Sequence, residues 1–432
     1  MKQRYNNYSH NLAWLAIDAC FKGKWNRNDV LTFIEEWTGY SRREMWMCEA
    51  THFYRLRYDA MESMAYMLDD VMEGIQNGIY PDLDAVKIRQ RPDGMTGKMR
   101  DIAYLSILHQ LLGHVVKLGL DPLFHARILP TQHASLPEHG QTRLVRQTRR
   151  YLRKRMGIKC YQKTDCTHAY ASLQYSVVIN LIRQEIPSSL WILKTLEFLA
   201  TMAPGGHLII GGYLDAWLFN FAMSYALRDA LSQGKTRRGK FLPYVERIES
   251  FMDDFALLSR TETGIKRTVK HLTAWMWENL QMTVRTTTGI IYWLTSEEER
   301  RRQLLNSPAA RGCPNLDMGG YRICRTHVTM RRRVAKRVFR TFKRAWKELK
   351  ATGSLRRGRA GSIIARNGPV QCSYSERFKK KYHVSQLISA AKRVNAYWQR
   401  CETRKRKEKI AYVIQRCASQ PSPFARAGGA PT

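Results

Sequence analysis

The segment Phe251–Asp254 reads Phe-Met-Asp-Asp and places two adjacent carboxylates between two strand-like runs, Tyr244–Phe251 and Phe255–Leu258. Strand propensity on both sides predicts a β-hairpin whose tip presents both acids. Neighbouring carboxylates repel each other, and a hairpin tip gives such a pair no structural benefit. A divalent cation removes the conflict, because hard oxygen ligands suit Mg²⁺. Taken alone, an Asp-Asp pair is also compatible with a solvated acidic turn. The choice between a metal-binding pair and such a turn therefore depends on the rest of the sequence.

The overall charge points to a polyanionic partner. The chain has 432 residues, with 72 Lys and Arg against 36 Asp and Glu and a net charge of +36. Nucleic acid is the usual partner of so basic a protein. A hydrophobic fraction of 44% indicates a folded chain, and its length is sufficient for two or three domains. No apolar run approaches the roughly eighteen residues of a membrane span. The nine cysteines include no C-x-x-C pair, which favours reduced thiols and a cytoplasmic location.

A third carboxylate is predicted to meet the first two. Residues 158–165 read as a strand that ends on Asp165, and helical patterns separate it from the Asp-Asp hairpin. A strand end and a hairpin can lie side by side in one sheet. Three converging carboxylates near a basic groove suit two-metal phosphoryl transfer, in which one ion activates a 3′-hydroxyl and the other stabilises the leaving pyrophosphate.

The composition changes after Met330. From Arg331 to Lys409 there are 26 Lys and Arg and four acids, while apolar residues still recur at helical intervals. This pattern predicts a folded, basic helical region that binds nucleic acid through phosphate contacts. Its aromatic residues either stack on unpaired bases or fill a helical core; they include Trp346, Tyr382, Tyr397 and Trp398.

Read in order, the motifs resemble those of a bacterial reverse transcriptase across roughly residues 85–350. The matching segments are Gly97–Arg100 (a fingers strand), Lys163–Tyr170 (the first palm motif), Ile210–Ala216 (the Gly-bearing template motif), Phe251–Asp254 (the aromatic-x-Asp-Asp motif) and Leu316–Ile323 (a primer-grip hairpin). The resemblance implies an α+β right-hand polymerase of fingers, palm and thumb. It would have an antiparallel palm sheet, a helical N-terminal extension and a helical basic thumb.

The corresponding domains are expected at residues 1–90 for the helical extension, 91–325 for fingers and palm, and 326–415 for the basic thumb or RNA-binding region. Residues 416–432 are rich in Pro, Ala and Gly and are expected to form a disordered tail.

The resemblance also assigns roles to individual residues. Asp165, Asp253 and Asp254 would be catalytic and would bind Mg²⁺ or Mn²⁺, with help from the backbone carbonyl of Cys166. Arg285 could protonate the leaving pyrophosphate, although an ordinary surface arginine is the competing interpretation.

Five further residues would bind the substrate. Lys98 and Arg100 would hold the triphosphate, because a guanidinium fork suits phosphate oxygens. Tyr170 would act as a steric gate under the sugar, or is instead a core aromatic. Gly211 and Gly212 would let the backbone approach template and nucleotide closely, or form an ordinary strand-to-helix turn.

The chain departs from the common pattern at two places. Ile210 stands where many reverse transcriptases carry Gln, which resembles the diversity-generating retroelement enzymes and some phage-defence reverse transcriptases. Loss of that hydrogen-bonding side chain predicts relaxed fidelity. Asp215 and Ala216 replace the Ser-Gln usual in those groups. An acid beside a growing duplex is electrostatically unusual, so Asp215 is expected either to contact a base edge or to mark an unusual way of reading the template.

The predicted function is that of an RNA-directed DNA polymerase, which extends a 3′-hydroxyl with dNTPs on an RNA template in a retroelement or phage-defence system. Its partners would be RNA, the RNA–DNA duplex and possible further components such as a structured noncoding RNA or a small accessory protein. The alternatives are a non-catalytic RNA-binding scaffold and a maturase-like RNA cofactor built on the same palm. The latter is weakened because the C-terminal region carries no endonuclease-type Cys/His cluster.

Overall fold

The computed structural model describes residues 4–51, 55–83, 85–92, 99–305, 314–373, 379–380 and 383–419. The fold mixes helices with antiparallel sheets, so the predicted α+β class is confirmed. The described helices are His10–Phe21, Asn28–Thr38, Arg42–Thr51, Arg55–Gln76, Ile107–Gly119, Asp121–Arg127, Gln141–Lys154, Ala169–Ser172, Tyr175–Glu185, Leu190–Met202, Tyr213–Ser232, Glu262–Leu280, Ser296–Leu305, Arg332–Thr352, Arg357–Ser373 and Val384–Ser419, with a short 3₁₀ turn at Pro204–Gly206.

The strands fall into four antiparallel groups. They are β1 (Lys87–Pro92), β2 (Met99–Tyr104), β3 (Cys160–Cys166), β4 (Gly234–Arg237), β5 (Lys240–Pro243), β6 (Arg247–Phe251), β7 (Asp254–Ser259), β8 (Val284–Thr286), β9 (Ile291–Tyr292), β10 (Leu316–Met318), β11 (Tyr321–Ile323) and β12 (Val328–Met330). β1 pairs with β2, β4 with β5, and β10, β11 and β12 form a three-stranded sheet.

The central sheet has the order β6-β7-β3-β8, with β9 pairing the start of β3. β7 is its most buried strand, since residues 255–258 are fully enclosed. Such a continuous apolar run is typical of a strand covered on both faces. The helix Glu262–Leu280 begins where the Thr261 hydroxyl accepts a hydrogen bond from the backbone of Gly264, which caps the helix. The sheet and its helices hold the ends of β3 and β7 in fixed positions.

Two predicted hairpins are present. β6 and β7 form the Asp-Asp hairpin, and β10 and β11 form the hairpin predicted for residues 316–323. The turn of the second hairpin is Gly319-Gly320, where both residues have positive φ (56° and 86°), a conformation that favours glycine. β2 carries Arg100, whereas Lys98 lies outside the described residues.

The chain divides into two compact units. One comprises residues 1–20, 66–339 and 366–376 and contains the central sheet; the other comprises residues 21–65, 340–365 and 377–432. The core of the second unit includes Phe33, Ile34, Phe342, Ile363 and Leu387. The last described helix continues to Ser419, and residues 420–432 of the predicted tail lie outside the described part. Among the described residues, no helix is long and apolar enough to cross a membrane.

Candidate active site

The central sheet places two of the predicted acids side by side. In the pairing of β3 with β7, Asp165 lies directly opposite Asp254. On the other side of β3, Arg285 of β8 is the partner of Asp165. Directly opposed residues in antiparallel strands have Cβ atoms about 4.5–5.5 Å apart and point to the same face. Asp165, Asp254 and Arg285 therefore share one face of the sheet, which we call the carboxylate face.

The third acid lies at the hairpin tip. Because Phe251 pairs with Asp254, residues 252 and 253 form a two-residue turn. Met252 has φ of 59°, which is uncommon for a residue with a side chain. The backbone N–H of Cys166 donates a hydrogen bond to the Asp253 carbonyl at 3.1 Å. This bond ties the tip to the end of β3, so Asp253 is held beside the other two carboxylates.

The environment of Asp253 favours its neutral form. Burial raises the pKa of this carboxyl to about 6, and the negative charges of Asp165 and Asp254 act in the same direction. Arg100 opposes them, which shows that the strand β2 brings positive charge within electrostatic range of the tip. The positive charge of Arg100 therefore compensates only part of the effect of burial and of the neighbouring carboxylates on Asp253.

The other two carboxylates each have a basic partner. The Lys163 ammonium lies 3.2 Å from Asp254 Oδ1, and the Arg285 guanidinium donates to Asp165 Oδ2 at 2.7 Å. Lys163 was not singled out from the sequence. It precedes Asp165 by two residues on the same strand, and that period of two could have placed it on the carboxylate face. Arg285 is a surface residue, with its side chain 64% exposed, and it forms an ion pair with Asp165.

We tested whether these groups suit a divalent cation. Within the described ranges, no three His, Cys, Asp or Glu side chains are arranged as a ready-made metal cage. The available donors are nevertheless all carboxylate oxygens, which hard cations prefer. Two of them already attract a cationic side chain, and the pKa of the third is raised by burial and by the charges of the other two. The donor chemistry therefore fits Mg²⁺ or Mn²⁺, with Lys163 and Arg285 as competing cations.

The buried sulfur of Cys166 is an unfavourable metal ligand. Burial raises the pKa of its thiol well above the ordinary value, and the charges of Asp253 and Asp165 add to the effect. The thiol therefore stays protonated, whereas metal ligation requires the thiolate. The proposed use of its backbone carbonyl stays a prediction.

Tyr170 lies next to the hairpin tip. Its ring stacks on Phe219 at a centroid distance of 5.0 Å and an interplanar angle of 16°. Its hydroxyl is 4.0 Å from Met252 Sδ. Burial, followed by the charges of Asp215 and Asp253, raises the pKa of the phenol, so Tyr170 is neutral at physiological pH. The ring is thus packed on the core and adjacent to the carboxylates, and its role as a steric gate stays a prediction.

The loop before the helix Tyr213–Ser232 packs against β2. The backbone N–H of Ala103 donates to the Ile210 carbonyl at 2.8 Å. Gly211 has φ of 111°, and a Cβ at this position would lie 3.0 Å from the carbonyl oxygen of Ala103. Glycine is required here by the backbone and by the neighbouring strand. The loop is therefore joined to the strand that carries Arg100.

Asp215 is buried, so the expected contact with a base edge was wrong, whereas an unusual way of reading the template stays a prediction. Its side chain is turned inward, and only 1% of the residue is exposed. Oδ1 accepts hydrogen bonds from the Tyr175 hydroxyl at 2.8 Å and from the backbone N–H of Ile209 at 2.9 Å. Sequence reasoning placed it wrongly because its position in the first helical turn does not reveal which way a carboxylate turns.

A buried polar cluster joins β6 of the Asp-Asp hairpin to the segment around His133. Glu249 of β6 is fully enclosed and binds His133 Nε2 at 2.8 Å and Arg247 Nε at 2.6 Å. The backbone N–H of His133 also donates to the Ser250 carbonyl at 2.9 Å. No sequence signal indicated this cluster, since its members are brought together only by the tertiary fold.

The chain matches no protein-family model, and a comparison with curated proteins finds no relative. Solved structures with partial similarity include the Candida albicans telomerase in complex with a fragment of telomeric RNA (12% identity, TM-score 0.40, 74% of this chain and 62% of that one). The truncated apo telomerase of Candida tropicalis is similar at 10% identity and a TM-score of 0.35, over 62% of this chain and 60% of that one. The Sicinivirus 3Dpol RNA-dependent RNA polymerase is similar at 11% identity and a TM-score of 0.30, over 54% of this chain and 57% of that one. The chain spans less than two thirds of each of these structures.

Arg285→Ala is expected to tighten Mn²⁺ binding at the carboxylate face by about two- to fivefold, because it frees Asp165 from a competing cation. The effect should be small, since the Arg285 side chain is exposed and its ion pair is screened by solvent. A Mn²⁺ titration followed by electron paramagnetic resonance compares the dissociation constants of the two proteins. Unchanged or weaker Mn²⁺ binding in the variant would contradict competition between Arg285 and the cation.

Proposed function

We propose that the protein is a nucleic-acid polymerase of the reverse-transcriptase type, which extends a 3′-hydroxyl with dNTPs on an RNA template. The observation that carries the proposal is the carboxylate face, where Asp165 opposes Asp254 in the sheet and Asp253 is tied to the end of the same strand. Such clustering is unfavourable unless cations compensate it. The excess of 36 positive charges supports a nucleic-acid partner.

The proposed reaction gives the three aspartates and Arg100 defined roles. Two Mg²⁺ ions bound by the three aspartates would activate the attacking hydroxyl and stabilise charge on the leaving pyrophosphate. Arg100 is exposed on β2 and acts electrostatically on Asp253, which suits a group that holds the triphosphate beside the acids. Lys98, proposed for the same role, belongs to the undescribed segment 93–98.

The choice of RNA template and dNTPs rests on the motif resemblance. So do the roles of Tyr170 under the sugar and of Gly211 at the template, and the placement in a retroelement or phage-defence system. A structured noncoding RNA or an accessory protein remains part of the same proposal.

Primer extension tests the function directly. The full chain is incubated with Mg²⁺ or Mn²⁺ and a labelled DNA primer annealed either to an RNA or to a DNA template, with dNTPs or rNTPs in separate reactions. We expect extension on the RNA template with dNTPs. Extension only with rNTPs would identify an RNA polymerase instead. Tight RNA binding with no extension in any arm would favour the non-catalytic scaffold.

The second unit is the proposed site of RNA gripping. The rings of Trp346 and His383 stack with their centroids 3.9 Å apart. The Arg357 guanidinium carbon lies 4.5 Å from the centroid of the Trp398 ring. Tyr397 is 56% exposed, and Tyr382 lies outside the described residues. The described aromatics are therefore accessible or stacked with basic groups, an arrangement that suits contact with bases and phosphates.

RNA affinity is expected to fall about a hundredfold or more between 50 and 200 mM salt, because each neutralised phosphate releases condensed counterions. Fluorescence anisotropy with a labelled RNA–DNA duplex measures the slope of log affinity against log salt. An affinity independent of salt would remove the phosphate-gripping role.

Ile210→Gln is expected to lower the misincorporation rate several-fold, because Gln restores a hydrogen-bonding side chain at an exposed position of the loop that packs on β2. Sequencing of products copied from a defined RNA template measures the rate. Equal error rates in the two proteins would contradict the fidelity hypothesis.

A further inference from the structure

Asp215 and Gly212 fit each other in a way that the proposed reaction does not require. Gly212 has ordinary backbone angles (φ −70°, ψ 131°), so its conformation does not demand glycine. A Cβ at this position would nevertheless lie 1.8 Å from Asp215 Oδ2 and 2.6 Å from its carboxyl carbon. Gly212 is buried, and the space left by its missing side chain is filled by the Asp215 carboxylate.

The carboxylate joins the loop to a neighbouring helix. It accepts a hydrogen bond from the backbone of Ile209, before the loop tip, and another from the hydroxyl of Tyr175, at the start of the helix Tyr175–Glu185. Burial raises the pKa of Asp215 to about 6, and the two hydrogen bonds oppose that shift. A buried acid is unfavourable unless its partners are in place, so this arrangement specifies one loop conformation.

The exposed tip of the same loop packs against β2. Ile210 and Gly211 are exposed, and the Ile210 carbonyl accepts a hydrogen bond from the backbone N–H of Ala103 in β2. β2 carries Arg100, which acts on Asp253. The ring of Tyr170 lies within electrostatic range of both Asp215 and Asp253. A shift of the loop would therefore move the groups proposed to surround the nucleotide.

We propose that Asp215 is a positioning residue for nucleotide binding, which locks the loop Ile209–Gly212 against β2 through the space that Gly212 leaves open. Its effect on nucleotide binding rests on the proposed polymerase function, whereas the lock itself is a property of the fold.

A double-mutant cycle tests the lock without any assumption about activity. Gly212→Ala is expected to lower the melting temperature by several degrees, because the new methyl group collides with the carboxylate. In the Asp215→Ala variant the same methyl group has room. Adding Gly212→Ala to that variant should therefore lower its melting temperature only slightly. Gly113→Ala is the matched control, since a Cβ there would meet only the Leu214 side chain at an ordinary 3.5 Å. If the decreases in melting temperature of the two single variants add up to that of the double variant, the proposed lock does not exist.

Steady-state kinetics test the positioning role. Asp215→Ala is expected to raise the KM for dNTP about tenfold with a smaller change in kcat, because loss of the lock weakens nucleotide binding while the three metal-binding carboxylates are retained. Asp215→Asn keeps an oxygen that can accept both hydrogen bonds, so it should restore most of the KM. An unchanged KM in Asp215→Ala would overturn the positioning role. If the wild-type protein incorporates no nucleotide, the proposed function fails, and the double-mutant cycle still decides whether the lock exists.

Discussion

Replacing Asp253 with asparagine is expected to reduce nucleotide incorporation by about a thousandfold or more and, at the same time, to stabilise the folded protein. The first effect follows because asparagine removes one of three carboxylates that would share the metal ions. The second follows because the Asp253 charge is unfavourable in the folded state, where burial and the neighbouring Asp165 and Asp254 raise its pKa to about 6.

The stabilisation should depend on pH in a defined direction. Asp253 has a higher pKa folded than its ordinary value of 3.8, so the folded state binds more protons between these values and loses stability as pH rises from about 4 to 6. Asparagine carries no such charge. The variant should therefore be more stable than the wild type by about 1–3 kcal/mol above pH 6, with the difference vanishing near pH 4.

Asp254→Asn provides the matched control in urea unfolding experiments at several pH values. It removes the same charge from the same hairpin but leaves Lys163, which is only 8% exposed, without its ionic partner. We therefore expect loss of incorporation without stabilisation. If Asp253→Asn retained activity, or if both variants changed stability equally, the described electrostatics of the hairpin would be wrong.

Glu249→Ala is expected to destabilise the protein by about 3–5 kcal/mol, because it leaves two basic partners, His133 and Arg247, without their shared carboxylate. Burial alone would raise the pKa of Glu249, but the hydrogen bond from His133 and the charge of Arg247 hold it below its usual value. Its ionic contribution to stability is therefore present above pH 4.5 and is lost as pH falls through the lowered folded pKa.

Chemical denaturation near pH 7 measures this loss. Glu249→Gln keeps the shape and one acceptor oxygen and should lose less. Glu297→Ala is the control for removal of an exposed acid, since Glu297 pairs with Arg301 across 3.7 Å on the surface and should change stability by less than about 1 kcal/mol. Equal losses for Glu249→Ala and Glu297→Ala would show that the buried cluster does not support the hairpin.

The sequence allowed the local elements of the site to be predicted but not their internal supports. The strand ending near Asp165 and the hairpin around Asp253 were visible because strand propensity and turn position are local properties. Their adjacency followed from assuming a shared sheet, which the register of β3 and β7 provides.

The supports could not be predicted because they depend on contacts between distant parts of the chain. His133 and Glu249 are separated by 116 positions, and no periodicity links them. Asp215 could turn towards solvent or towards the core, and the Tyr175 hydroxyl and the Ile209 backbone N–H hold it towards the core. The need for glycine at 212 likewise comes from the internal Asp215 carboxylate.

The most direct test of the central claim, that the three carboxylates share a pair of cations, is to count bound Mn²⁺. The full chain with primer, RNA template and a non-hydrolysable dNTP is titrated with Mn²⁺, and the free ion is followed by electron paramagnetic resonance. We predict that the wild type binds about two ions per chain, as a two-metal site requires, and that Asp165→Asn and Asp253→Asn lose this binding. Equal Mn²⁺ binding by the wild type and both variants would contradict the account.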